Sequence, residues 1–394
     1  MPSITIDTEF LARTTAELVR IDSRNPDLTP EGPGEGSCGA RLADILAGLG
    51  LKVTVQDLGP GRVNVIGVLK GNGGGSGGNG GGRSLILNGH LDTVGTEGMA
   101  DPFSGRVTDG RVYGRGSQDM KGSLAAMAAA VKALKDAGIR LAGDLIYTAV
   151  ADEENLSIGT EALIEAYAAD AAIVTEPTDL RLVRAHRGFI WYSLETLGRA
   201  AHGSRYTEGI DANMRMGRFL AELDELERDL RRRPPHPLVG VPSLHAPVIA
   251  GGTAISTYSS HCTLKIERRT APGETVGQAA SELQAIIDRL AAQDSTFKAD
   301  LKVTAARPPF EIAEEADIVN AAARAIEGRL QRPAVHGGAS FWSDAALFAA
   351  AGIDTILLGP KGAGLHSAEE YVDLASLADL AYILTDTALD FCGV

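Results

Sequence analysis

The sequence predicts an α/β protein of two domains, one inserted into the other. Three observations carry this. Short apolar runs alternate with stretches of helical periodicity over residues 1–186 and again over 305–394, as in a sheet flanked by helices. Between residues 187 and 304 the order becomes β-α-β-β-α-β, that of a ferredoxin-like unit. At 394 residues the chain is also too long for a typical single core. The expected division is a discontinuous domain of 1–186 with 305–394, and an insert of 187–304 whose ends lie close together.

In chain order, Thr8–Val19 has helical periodicity, broken by Asn25-Pro26 and a loop rich in Gly, Pro and Glu. Ser37 is placed to cap a helix over Gly39–Leu49, which Gly50 stops. Lys52–Gln56 and Asn64–Leu69 read as strands. The tract between Gly71 and Gly82 is almost pure Gly, Asn and Ser. It lacks the Gly-Lys-Ser/Thr ending of a phosphate loop and reads as a flexible hairpin linker. Leu85-Ile86-Leu87 is a buried strand, Ser123–Ala137 an Ala-rich helix, and Asp144–Val150, Ala171–Thr175 and Thr355–Leu358 are further strands. In the insert, Gly188–Thr196, Val248-Ile249, Cys262–Ile266 and Lys298–Val303 read as strands, and Asp211–Arg232 and Thr275–Ala292 as helices.

Composition removes several classes of function. A net charge of −14 argues against nucleic-acid binding and gives no reason to expect an anionic membrane partner. No segment reaches the roughly 18 apolar residues of a membrane span, and the N-terminal residues lack the pattern of a signal peptide. Cys38, Cys262 and Cys392 are sparse and scattered, which points to a reducing compartment and away from a thiolate metal site. A cytoplasmic protein is expected.

The informative pattern is where the acids and histidines fall. His90, Glu153, Glu154, Glu176 and His366 all follow predicted strands at their carboxyl ends, where open α/β sheets keep their ligands. Asp119 stands at the mouth of the Ala-rich helix, either as an N-cap or as a carboxylate directed into a site. His90 and Asp92, at i and i+2 in extended chain, project to one side, so the first can bind a metal while the second orients its imidazole. The run Asp152-Glu153-Glu154 is either a solvated loop or part of the site. Two His and several carboxylates converging on one sheet edge suit one or two divalent ions.

Asn-Gly-His-Leu-Asp, Gly-Arg-Gly-x-x-Asp-x-Lys-Gly, Asp-Glu-Glu, Glu-Pro-Thr, Ala-Ala-His-Gly-Ser and Leu-His-Ser-x-Glu-Glu occur here in one order. Over nearly its whole length the chain resembles the di-zinc metallohydrolases that include aminoacylase, acetylornithine deacetylase, succinyl-diaminopimelate desuccinylase and glutamate carboxypeptidase. The resemblance implies a zinc-peptidase-like catalytic domain with an inserted ferredoxin-like dimerisation domain, and hence a homodimer. It also implies two divalent ions per chain, zinc first, with cobalt or manganese tolerated. His90 and Glu176 would hold one ion, Glu154 and His366 the other, and Asp119 would bridge them. Asp92 would hold the His90 imidazole, and Glu153 would act as general base on a metal-activated water. His202 would reach the substrate carbonyl oxygen of the partner subunit, and Arg269 would clamp a substrate carboxylate.

One segment departs from the family. Gly251-Gly252-Thr253-Ala254 is followed by Ile255-Ser256-Thr257 where an Asn-Val-Val-Pro type of sequence is usual. Ser256 therefore stands in place of a substrate-binding Asn, which leaves the acyl pocket open. Arg268, beside Arg269, reads equally well as a surface charge, and His336 and Ser343, before Asp344, as turn residues. The expected activity is hydrolysis of N-acyl amino acids, with a dipeptidase or carboxypeptidase as the alternative. A non-catalytic binding protein on the same fold would have lost ligands or base, and all are present.

Overall fold

The computed structural model describes residues 4–73 and 81–394; most of the Gly-rich tract, residues 74–80, lies outside the described residues. The chain forms two compact units. One comprises Met1–Arg184, Ile312–Gly337 and Ser343–Val394, and the other Ala185–Glu311 with Gly338–Trp342.

The larger unit is built on a mixed sheet. Its strands run in the order Lys52–Gly59, Arg62–Leu69, Leu145–Val150, Leu85–His90, Ala171–Val174 and Asp354–Leu357, followed by the strand that begins at Leu182. The middle four are parallel. Leu85–His90 and Leu145–Val150 are buried along their whole length, as apolar parallel strands covered on both faces must be. Register sets which residues meet at the end of the sheet. His90 lies opposite Val150, and Asn88 opposite Val174, which in turn lies opposite Leu357. The residues just past Val150, Val174 and Leu357 therefore emerge beside His90, along one edge.

The Ala-rich helix Gly122–Asp136 is buried on nearly every side, because methyl side chains let neighbouring elements approach closely. It begins after an irregular turn, Ser117–Lys121, in which Asp119 has extended rather than helical dihedrals. Asp119 is thus not the N-cap. The second helix also starts earlier than the sequence suggests, at Gly36 rather than near Gly39. Ser37 lies inside it, and the preceding Glu35 turns inward to accept from Arg62 Nε at 2.9 Å. Among the described residues no helix is long and apolar enough to cross a membrane.

The smaller unit has strands Gly188–Leu197, Ser243–Gly251, His261–Thr270 and Lys298–Arg307, with helices Ala212–Arg232 and Val276–Gln293. In space the strands lie second, third, first, fourth, all antiparallel. This is the ferredoxin-like order. Period-two alternation puts Ile190, Tyr192 and Leu194 into the core. Met216, Phe219, Leu223 and Leu230 form the apolar stripe of the first helix, and Leu283, Ile286, Ile287 and Leu290 that of the second. Both helices are capped at their N-termini, by Asp211 and by a Thr275/Gln278 capping box.

Arg268 is no surface charge. It is 2% exposed and donates to Glu274, in the turn before the second helix, at 2.5 Å and to Glu282, within that helix, at 3.0 Å, so the buried cation is neutralised. The three cysteines are unpaired and buried.

Candidate metal centre

The carboxyl edge of the large sheet assembles two groups of potential ligands. His90, Asp119 and Glu176 form one, and Asp119, Glu154 and His366 the other, with ligand atoms in each within 4.8 Å of one another. Asp119 belongs to both. Its Oδ1 lies 3.0 Å from His90 Nε2 and its Oδ2 3.4 Å from His366 Nε2. Glu154 Oε2 is 3.3 Å from His366 Nε2, and Glu176 Oε1 is 3.8 Å from His90 Nε2.

The supporting contacts fix these side chains. His90 Nδ1 is 2.9 Å from the main-chain carbonyl of Asp92, whereas the Asp92 carboxylate is 3.6 Å away. The carbonyl, more than the carboxylate, orients the ring. A proton on Nδ1 donated there leaves Nε2 free to bind an ion. The Asp92 carboxylate has other work: it accepts the main-chain N–H of Glu153 and of Glu154, each at 3.2 Å. Glu370, 1% exposed, accepts from Gly116 N, Gln118 N and Asp119 N and from Arg115 Nη1 at 2.7 Å. Arg115 also donates to Ser367 O at 3.0 Å, so the turn bearing Asp119 is fastened to the loop bearing His366.

Charge is badly balanced without an ion. Burial, and then the neighbouring Glu176, push the Glu153 carboxyl well above the usual range. Burial and Asp119 do the same to Glu176 and raise Glu154. Burial opposes ionisation of Asp119, yet His366 and His90 hold its carboxyl below the usual range. Asp119 and Glu154 raise the His366 imidazole to about 10. Glu176 Oε1 is buried and accepts no hydrogen bond among the described residues. Three carboxyls, one of them with an orphaned buried oxygen, and two imidazoles are the donor set of a divalent-metal site, and the residues fit such ions.

Glu153 is in neither ligand group, although it adjoins Glu154 in sequence. The other residues singled out in the sequence are in neither group. His202 and Ser256 are both exposed in the smaller unit and close together: Gly203 N donates to Ser256 O at 2.7 Å, and His202 bridges Thr257. Arg269 pairs with Glu267 at 3.0 Å and stands 5.6 Å over the Phe189 ring. In the larger unit, His336 Nδ1 accepts from Arg184 at 2.9 Å, and Ser343 is buried. Asp344 accepts from Thr160 at 2.5 Å, and burial raises its carboxyl to about 6.

Residues 86–390 match the sequence model of peptidase family M20/M25/M40. The chain belongs to this family. As an M20 protein it is a hydrolase of amide or peptide bonds. It is 29% identical to N-formyl-4-amino-5-aminomethyl-2-methylpyrimidine deformylase of Bacillus subtilis, over 93% of this chain and 92% of that protein. It is equally 29% identical to acetylornithine deacetylase of Myxococcus xanthus, over 97% and 98%. In fold it is similar to the aminopeptidase PepT of Bacillus cereus, with a TM-score of 0.80 and 22% identity over 98% and 99% of the two chains. A dinuclear metal-binding M20 peptidase of Bacillus subtilis superposes with a TM-score of 0.72 at 15% identity, over 97% of each chain.

Contacts that the sequence does not reveal are those of Arg115 and Glu370, together with Asn25, Arg62 and Asp152. The first two stand inside motifs notable for neighbouring residues. Asn25 is visible in the sequence only as a helix breaker.

Proposed function

We propose that this M20 hydrolase removes the acyl group from N-acyl amino acids, with two divalent ions held by His90, Glu176, Glu154, His366 and a bridging Asp119. The observation that carries the reading is the membership of the two ligand groups. Asp119 is shared by both, and Glu153, next in sequence to a ligand, belongs to neither. A carboxyl so placed, with its affinity for a proton raised by burial, suits a general base. Bound divalent ions supply a lowered pKa for water and positive charge for a developing oxyanion. Glu153 takes the proton of the attacking water and delivers it to the leaving amine. Zinc is the expected metal for mixed imidazole and carboxylate donors, with cobalt or manganese as substitutes. The names of the two relatives, a deacetylase and a deformylase, support an acyl group over a peptide.

The smaller unit, taken as an inserted dimerisation domain, carries His202, Ser256 and Arg269 toward the substrate. Support for pairing comes from its edge strand Ser243–Gly251, exposed from His245 onward, with Val248 and Ile249 each 54% exposed. Free, buried cysteines support a reducing, cytoplasmic setting.

The test is a panel of N-acetyl, N-formyl and N-succinyl amino acids set against dipeptides, run on protein whose metal content has been measured. Two equivalents of metal and preferred turnover of an N-acyl amino acid are expected. Glu153→Gln should lower kcat at least about 10²-fold and keep both ions. Exclusive turnover of dipeptides would move the assignment to a peptidase, and loss of metal from Glu153→Gln would make Glu153 a ligand.

A further inference from the structure

We propose that Asn25 is a positioning residue for Glu153 and Glu154, acting through a single amide group that holds two buried carboxylates together. The inference rests on the assignment of Glu153 as general base. Asn25 is fully buried, and its Nδ2 donates to Asp92 Oδ2 and to Asp152 Oδ1, each at 2.8 Å. Both amide protons are thereby used. Its Oδ1 accepts from Asp27 N at 3.0 Å, which fixes which way the amide faces. Its main-chain N–H is anchored on Thr93 O at 2.9 Å, one residue from Asp92.

The two carboxylates grip the functional segment from either side. Asp92 receives the N–H of Glu153 and of Glu154. Asp152 immediately precedes them, at a φ of 67° that an Asp rarely adopts without local hydrogen bonds. Its Oδ2 accepts from Leu156 N at 3.2 Å, and its Oδ1 also accepts from Arg62 Nη2 at 2.6 Å. Arg62 donates further to Glu35 and Asp27. Asp92 thus holds the main chain of Glu153 and Glu154, Asp152 fixes the start of the same segment, and the Asn25 amide is the donor common to both carboxylates. Without it Arg62 still holds Asp152, but Asp92 loses its amide donor and its tie to Asp152, and the disturbance passes to the Glu153 and Glu154 N–H groups that Asp92 accepts.

The probe is Asn25→Asp, nearly isosteric, made in zinc-loaded protein and assayed on the panel compound that the parent hydrolyses fastest. We expect kcat to fall about 10²-fold, the loss associated with a misplacement of about 1 Å, with KM within about threefold and two equivalents of metal kept. If Asn25→Asp does not fold, Asn25→Ala adds no charge and carries the same expectation for kcat. Cobalt-loaded protein gives a readout independent of the base: moving Glu154 should change the visible absorption spectrum of the variant.

The proposal is overturned if kcat and the cobalt spectrum both match the parent, or if activity and metal fall together in step with the folded fraction. Parent-like activity in Glu153→Gln would instead sink the base assignment, and the cobalt spectrum alone would then decide the positioning of Glu154.

Discussion

Glu370 Oε1 accepts the main-chain N–H of Asp119 at 3.2 Å, and the same carboxylate takes three further donors, from Arg115, Gly116 and Gln118. A fully buried carboxylate with four donors holds the turn that places both Asp119 oxygens.

Glu370→Gln keeps the size of the side chain but turns an N–H₂ group toward donors that need an acceptor. Metal affinity, measured by competition with a chelator, should fall about 10- to 100-fold, the usual cost of losing a contact that orients a ligand. Activity should return when excess zinc is supplied. Parent-like affinity would leave Glu370 with no part in setting the site.

If His202 serves the partner's site, two inactive variants should complement each other. His202→Ala and Glu153→Ala, unfolded and refolded together, form mixed dimers in which one site has both groups. Activity should return to about a quarter of the parent level, given free exchange and half the dimers mixed. Mixed dimers verified by mass and lacking activity would rule out a shared site.

The Glu35 carboxyl predicts a dependence of stability on pH. Burial, and then the charge of Asp92, raise it to about 7 in the folded protein, despite its pair with Arg62. An acid whose folded pKa exceeds its unfolded value binds its proton more tightly when folded. Its stabilising contribution is whole below about pH 4.5 and is lost as the pH rises through 7. Relative to Glu35→Gln, the parent should lose on the order of 2 kcal/mol between about pH 5.5 and about pH 8, read from urea unfolding. A constant difference across that range would show that Glu35 does not titrate there.

The layout of the fold was legible because its signals are local. Apolar runs such as Leu85-Ile86-Leu87 mark buried parallel strands, and the residue type just beyond each strand marks the edge where His90, Glu154, Glu176 and His366 gather. The order of elements in the smaller unit was legible for the same reason, from period-two and helical patterns. The polar supports were not. Asn25 and Asp152 are 127 residues apart, and a hydrogen bond at that separation leaves no periodicity to read. The burial of Arg268 is hidden because nothing in its own segment reveals that Glu274 and Glu282 fold over it. Ser37 fails as a cap because a tertiary ion pair, Glu35 with Arg62, fixes the start of its helix.

The parallel sheet gathers its candidate ligands from widely separated stretches of one polypeptide, and synthesis delivers them in sequence. His90, Asp119 and Glu176 leave the ribosome before any of the smaller unit, whereas His366 comes after nearly all of the chain. During synthesis one candidate group is complete long before the other, and Asp119, common to both, waits with only one of its two imidazole neighbours. A chain cut short anywhere between residues 176 and 366 would keep the first group and lack the His366 of the second. The second group is therefore completed only once His366, the last of these residues to be made, has been added.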